Sequence, residues 1–371
     1  MKIPIIGDWG GKCGKAQKKV MKSISGSDIN NVISVGDTIY MSEENEEHSQ
    51  TCNFEDCKEL IYHIIMENMK CTKLLQGKYW IMAFGNHDDE YPKVTANSKL
   101  SCLINDLIKD VYPKLFIMNP KTLEKRYFVE PKFKQTHNIL FIVLNTSEYE
   151  INFKKSSPSC TITKFLENNQ FNEYSIDRRY FLKGITIADY QKANEILIKL
   201  YLKKDGISKE EYKHLEYFFN NNKQYNWLRR QLSNYKYISD SKIYIIGHHP
   251  IVCVGHQPIE KMAGKSNKIK GNLMMRYIYD SLIKHFPSVK GYFGGHIHSL
   301  QRIVDTNNND FTFILSGAGG GNEEANLDKL NEDNLELIRE DGFEMLEFSN
   351  KNGYFNMYLD GSDVDFSLVE V

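Results

Sequence analysis

The chain has 371 residues, 41% of them hydrophobic, which suffices for a large buried core and is far from the composition of a disordered segment. Its 47 basic and 48 acidic residues leave a formal net charge of -1, unlike the basic footprint of a nucleic-acid-binding protein. Mean hydropathy is -0.48 and the longest apolar stretches are strand-sized, so no helical membrane span is expected.

Taken in order, short apolar runs end in Gly or Asp. Ile3 to Ile6 ends at Gly7-Asp8, Val32 to Val35 at Gly36-Asp37, and Tyr79 to Phe84 at Gly85-Asn86-His87. Farther on, Ile139 to Leu144 is a strand-sized apolar stretch, Ile243 to Ile246 ends at Gly247-His248, and Val289 to Phe293 ends at Gly294-Gly295-His296. Unbroken apolar runs bounded by turn residues suit strands buried on both faces. Helical periodicity lies between them, near Lys15 to Ile24, Cys57 to Met69, Leu100 to Tyr112, Tyr225 to Tyr235 and Leu273 to His285. Strand and helix in alternation predict an α/β layered fold. After His298 the pattern turns strand-rich, at Phe311 to Leu315, Phe343 to Phe348, Tyr354 to Leu359 and Val364 to Val369, with Asn322 to Glu340 a polar, partly helical loop.

The stretch at about 148–222 is rich in Asn, Lys and Ser and holds two helical patterns, Ile187 to Lys203 and Lys209 to Phe219. It reads as an insertion on the core, either a solvated elaboration or a lid. At the amino end Met1-Lys2 leads directly into an apolar run too short for a secretory leader, so no signal peptide is expected in this chain.

The seven cysteines are Cys13, Cys52, Cys57, Cys71, Cys102, Cys160 and Cys253. An odd number leaves at least one unpaired in a monomer, and the lack of a Cys-x-x-Cys pair argues against a zinc ribbon. Cys52 and Cys57 flank a short loop and suit either a disulfide or two free thiols, which leaves the redox compartment open.

Five blocks at the predicted strand ends carry the chemistry. They are Gly7-Asp8-Trp9-Gly10, Gly36-Asp37-Thr38-Ile39-Tyr40, Gly85-Asn86-His87-Asp88, Gly247-His248-His249-Pro250 and Gly294-Gly295-His296-Ile297-His298. Ligand sites of open α/β sheets form at the carboxyl ends of strands. Asp8, Asp37, Tyr40, Asn86, His248, His296 and His298 together offer carboxylate, phenol, amide oxygen and imidazole, donors for hard to borderline metals. Seven such donors exceed the needs of one ion and suit two ions sharing a carboxylate. Each block alone is common, and the joint occurrence of all five in this order is not.

In that order the blocks resemble the calcineurin-like metallophosphoesterases and, within them, the purple acid phosphatases. Many relatives place a His two residues after the first Asp; here that position is Gly10, and Tyr40 follows Asp37 by three residues as in the purple acid phosphatase pattern Gly-Asp-x-x-Tyr. The resemblance covers about Ile3 to Val304 apart from the insertion. It implies a four-layer α/β/β/α sandwich of two mixed sheets flanked by helices, with residues 1–371 forming a single catalytic domain because ligands from Asp8 to His298 converge. It implies that Asp8, Tyr40 and His298 hold Fe(III), that Asp37 bridges, and that Asn86, His248 and His296 hold a divalent Fe, Zn or Mn. His87 would contact the phosphate or assist the leaving group; His256, eight residues after His248, stands near a further substrate-facing His of the family but one residue short of its spacing.

The function implied is acid hydrolysis of phosphate monoesters to inorganic phosphate, by a hydroxide held between the metals. A phosphodiesterase or nucleotidase on the same centre is the first alternative. A second, from another class, is a phosphatase-like scaffold, since the sequence is distantly similar to the glideosome-associated protein of apicomplexan parasites, whose metal site is degraded; the full donor set here weighs against it. The family resemblance implies a secretory, vacuolar or extracellular location, with a cytoplasmic one left open. Among neighbouring residues, His249 is expected to point away from the centre, Asp88 to brace its loop, Asn145 to make a structural hydrogen bond and Trp227 to pack.

Overall fold

The computed structural model describes residues 1–11, 13–26, 28–40, 54–89, 108, 111–125, 127–149, 187–202, 205–235, 241–254, 271–321 and 332–371. Among these, strands form two mixed sheets. The first runs β13 (Asp363–Glu370), β12 (Gly353–Asp360), β1 (Lys2–Ile6), β2 (Asn31–Ser34), β3 (Tyr79–Met82), β4 (Ile117–Met118). The second runs β11 (Phe343–Ser349), β9 (Leu300–Asp305), β10 (Asn308–Ser316), β8 (Val289–Gly294), β7 (Lys242–Ile246), β6 (Ile139–Val143), β5 (Phe128–Glu130). In each sheet the central strands are parallel, β1 to β4 in one and β6, β7, β8 and β10 in the other, with antiparallel pairs toward the edges.

The layers follow from the period-2 alternation of strand side chains. Ile3, Ile5, Ile33 and Val35 of the first sheet pack against Phe141, Val143, Ile246 and Phe293 of the second, which makes the face between the sheets. The alternate residues Ile6, Val32, Trp80 and Met82 face outward onto Val20, Met21 and Ile24 of α1 (Lys15–Ser25) and Ile64 and Ile65 of α2 (Phe54–Asn68). On the other side Leu140, Ile142, Ile243 and Ile245 face α3 (Ile187–Leu197), α4 (Lys209–Asn220), α5 (Lys223–Tyr235) and α6 (Leu273–Ser281). Strands apolar on both faces read as unbroken apolar runs, and the result is the four-layer α/β/β/α arrangement expected from the sequence.

Several details differ from the expectation. Strand β9 is absent from the sequence reading, although Leu300–Asp305 followed by Thr306-Asn307 has the form of a hairpin arm, and it pairs antiparallel with β10. The expected helix from Leu273 breaks after Ser281 and resumes as a 3-10 turn at Ile283–His285. The second helix of the expected insertion starts cleanly because Ser208 and Glu211 form a reciprocal capping box. Most of the expected helix Leu100 to Tyr112, and the polar residues 322–331, lie outside the described residues.

Within the expected insertion, the two described helices α3 and α4 are packed onto the second sheet rather than standing in solvent. Tyr190, Leu197, Leu215, Phe218 and Phe219 are buried in the core that covers the second sheet, and Phe219 stacks on Tyr277 of α6 with ring centroids 4.5 Å apart. Each such side chain contributes roughly 1.5–3 kcal/mol on burial, and their sum is comparable with the whole stability of a typical domain.

One disulfide was not foreseen from the sequence. Cys13, in the loop after β1, is bonded to Cys71, in the 3-10 helix Met69–Leu75, with Cα atoms 5.4 Å apart. The 58-residue separation hides the pairing from any local reading; a loop of that length is worth about 4 kcal/mol on the chain-entropy account. Cys52 and the side chain of Cys57, the pair considered from the sequence, lie outside the described residues, and Cys253 is a buried thiol.

Candidate metal centre

All five blocks leave the carboxyl ends of parallel strands, β1, β2 and β3 in one sheet and β7 and β8 in the other, and the two sets of turns face each other. Three of the candidate ligands themselves adopt left-handed backbone conformations: Asp8 at φ 53°, Asp37 at φ 53° and His296 at φ 69°. That costs a non-glycine residue roughly 1–3 kcal/mol and persists only where neighbours over-determine it. Here they do. Asp8 N–H donates to Gly36 O at 3.0 Å, Gly10 N–H to Asp37 O at 3.0 Å, and His296 N–H to Asp8 Oδ2 at 2.8 Å. Two glycines admit the carboxylates: a Cβ on Gly85 would lie 2.1 Å from Asp37 Oδ1, and one on Gly295 2.4 Å from Asp8 Oδ2.

Six of the seven expected donors, Asp8, Asp37, Tyr40, His248, His296 and His298, have described side chains, and these stand close together. The Tyr40 hydroxyl lies 3.1 Å from Asp8 Oδ1, 3.1 Å from Asp37 Oδ2 and 3.3 Å from His298 Nε2. His298 Nε2 is in turn 3.4 Å from Asp8 Oδ1. On the other side of Asp37, Oδ2 is 3.3 Å from His248 Nε2, and that nitrogen is 3.3 Å from His296 Nδ1. Asp37 therefore stands between a phenol, carboxylate and imidazole group and a two-imidazole group. His87 donates its backbone N–H to Asp37 Oδ1 at 2.9 Å and sets its ring 4.5 Å from that of Tyr40. Trp9, the residue after Asp8, turns into the core and bonds Ser34. The Asn86 backbone starts the one-turn helix Asn86–Asp89, but its side chain, like all of His256, lies outside the described residues.

The electrostatics follow from burial of opposite charges. Burial opposes charging of His248, yet the Asp37 and Asp8 carboxylates and the Val35 carbonyl outweigh it and raise its pKa to about 10. Burial likewise opposes ionisation of Asp37, and the surrounding imidazoles reverse it, holding the carboxyl well below its usual range. Tyr40 is pushed well above the ordinary phenol value, first by burial and then by the Asp37 and Asp8 charges, so without a cation the phenol keeps its proton. Asp88 does brace its loop: it accepts from Thr38 N–H and Oγ1–H and from Gly85 N–H. Burial and the charge of Asp37 raise it to about 6 against those bonds.

His249 corrects the sequence reading. It does not turn away: His248, His249 and His296 each offer a ring nitrogen within 4.8 Å of the others, and the rings of His249 and His296 are 4.6 Å apart. The cause is Thr146, after β6. Its hydroxyl oxygen accepts the backbone N–H of His248 at 3.0 Å and of His249 at 2.9 Å, and it meets His249 Nδ1 at 3.0 Å. No motif flags Thr146; its one sequence signal is its place just past a strand end beside the expected Asn145. That Asn145 bond runs through the backbone, with Gln224 Oε1 and Nε2 pairing its N–H and C=O at 2.7 and 2.8 Å. Trp227 packs as expected, 4.9 Å from the Tyr127 ring.

Metal ions fit this donor set. Asp8, Asp37 and His248 form one group with ligand atoms within 4.8 Å, and the three histidines form a second that shares His248. His248 Nδ1 donates to Val35 O at 2.9 Å, which leaves Nε2 as the coordinating atom, the usual support for a metal-binding imidazole. A four-layer sandwich with such groups at facing strand ends defines a metallophosphoesterase. The chain matches the calcineurin-like phosphoesterase family over residues 1–300 and belongs to it. No curated protein matches the sequence significantly. Among solved structures it is similar to GAP50, the anchor in the inner membrane complex of Plasmodium, at 16% identity and TM-score 0.51, over 100% of this chain and 84% of that one. PhoD is similar at 10% identity and TM-score 0.53, over 99% and 68% of the two chains. A dimetal phosphatase from Danio rerio has 13% identity and TM-score 0.47, over 100% and 97%. Likeness at these identities concerns the fold. Among the described residues no helix is long and apolar enough to cross a membrane.

Proposed function

We propose that this protein is a binuclear acid phosphatase of the purple type that hydrolyses phosphate monoesters. Asp8, Tyr40 and His298 would hold Fe(III), Asp37 would be shared, and Asn86, His248 and His296 would hold a divalent Fe, Zn or Mn. The observation that carries this reading is the Tyr40 hydroxyl, set within 3.3 Å of Asp8, Asp37 and His298. A phenol is an unusual donor for zinc or magnesium and a natural one for ferric iron, and Gly10 leaves the competing position without an imidazole.

When bound, the two ions would neutralise phosphate charge and acidify the attacking water. The protein supplies the rest. Val35 O holds His248, and the His296 and His87 N–H groups hold the carboxylates of Asp8 and Asp37. The His87 ring, 4.5 Å from that of Tyr40, would donate to a phosphate oxygen, and His87 or His256 would return a proton to the leaving alkoxide. The Cys13–Cys71 disulfide supports a location in the secretory pathway, vacuole or extracellular space, where such bonds persist.

Metal analysis with a visible spectrum tests the reading. The expected result is two metal ions per chain, one of them iron, and a tyrosinate-to-iron absorption band. A colourless oxidised protein holding two zinc or manganese ions would overturn the purple assignment, and failure to turn over an aryl phosphate in acid with both sites filled would overturn the phosphatase.

A further inference from the structure

Tyr40 is held not only at its hydroxyl but at its backbone. Asn68, the last residue of α2, is 1% exposed, and its side-chain Oδ1 accepts the Tyr40 N–H at 3.0 Å. Its Nδ2 donates to Ile64 O at 2.7 Å and reaches Tyr40 O at 3.4 Å. One amide thus grips both polar groups of the Tyr40 peptide, as a neighbouring strand would, and this pairing fixes which end of the amide is oxygen. Asn68 is itself held. Gln17 of α1, buried, donates Nε2–H to Asn68 O at 3.2 Å. Three residues on, Cys71 is covalently tied to Cys13 in the loop that follows Asp8.

We propose that Asn68 is a positioning residue for Tyr40, setting where the phenol stands relative to Asp8 and Asp37; this rests on the reading of Tyr40 as a metal ligand. The phenol oxygen stands far from its backbone, so a tilt of about 10° at the peptide moves it by about 1 Å, a displacement that costs on the order of a hundredfold in rate at a reacting centre. Tyr40 ends the described β2 loop, and among the described residues Asn68 is the side chain bonded to its peptide. The chain Gln17 to Asn68 to Tyr40, with the Cys13–Cys71 bond, therefore couples the loop bearing Asp8 to the loop bearing Asp37.

The test compares wild type with Asn68→Ala and Asn68→Asp, the latter keeping an acceptor oxygen for the Tyr40 N–H and losing the donor. In chelated protein, hydrogen exchange at the Tyr40 amide should quicken at least about tenfold in Asn68→Ala and much less in Asn68→Asp. In metal-loaded protein both variants should shift or weaken the tyrosinate band, and kcat should fall about a hundredfold in Asn68→Ala with KM changed far less. Gln17→Leu should move the band the same way and by less. A folded Asn68 variant with wild-type band and kcat overturns the proposal. If Asn68→Ala does not fold, Asn68→Asp decides by the same two readouts. A wild-type protein without any tyrosinate band counts against the iron reading instead, and exchange and kcat then decide the role of Asn68.

Discussion

His248 Nδ1 donates to the Val35 carbonyl oxygen, 2.9 Å away, across the gap between the two sheets. A carbonyl can only accept, so the bond fixes the tautomer and commits Nε2 to the side where Asp37 stands. The strand end that carries one acidic block thereby orients a histidine of the opposite sheet.

That geometry sets a pH dependence for the protein stripped of metal by a chelator. The folded pKa of His248 is about 10, above its ordinary value of about 6.5. A base with a raised folded pKa contributes stability that is full below the unfolded value and fades as pH rises through the folded one. The urea midpoint of chelated protein should therefore fall between pH 7 and 10, and the fall should shrink in His248→Gln. An equal slope in wild type and variant would assign the effect to other groups.

Thr146→Val keeps the shape and removes the oxygen that accepts two buried N–H groups. Each orphaned donor costs about 1–3 kcal/mol, so thermal unfolding should shift down clearly, and loss of the turn geometry should lower kcat about tenfold or more. Thr146→Ser, which restores the hydroxyl, should recover most of both. Stability unchanged in the valine variant would show that the turn holds without Thr146.

Gly295→Ala tests the packing of glycine against carboxylate. The new methyl would stand 2.4 Å from Asp8 Oδ2, forcing that side chain off its position, whereas Gly206→Ala meets nothing within 4 Å. Activity should fall at least about tenfold in the first and stay near wild type in the second, with metal content reporting whether Asp8 has moved. Equal activity in the two would remove Gly295 from the account.

The site was largely legible because its chemistry repeats one local device. A buried strand ends, a glycine turns the chain, and a donor side chain follows; all three parts are written side by side at Gly7-Asp8, Gly36-Asp37 and Gly294-Gly295-His296. The layers were legible because strands buried on both faces must be apolar throughout. What escaped was long-range or generic. Cys13 and Cys71 are 58 residues apart, Asn68 and Tyr40 pair through ordinary amides, and the Thr146 hydroxyl resembles any other in sequence. The packing of α3 and α4 was hidden because polar residues dominate their composition, while Leu215, Phe218 and Phe219 carry the buried side of α4. The direction of His249 depended on a partner 103 residues away.

Turnover of an aryl phosphate in acid by Asp37→Asn against wild type tests the central claim most directly, because Asp37 stands between the Tyr40 hydroxyl and His248 at 3.1 and 3.3 Å. The expected result is a loss of kcat of at least about a hundredfold with lowered metal content in a folded protein. Wild-type turnover and metal content in that variant would contradict a shared carboxylate and, with it, the two-metal centre.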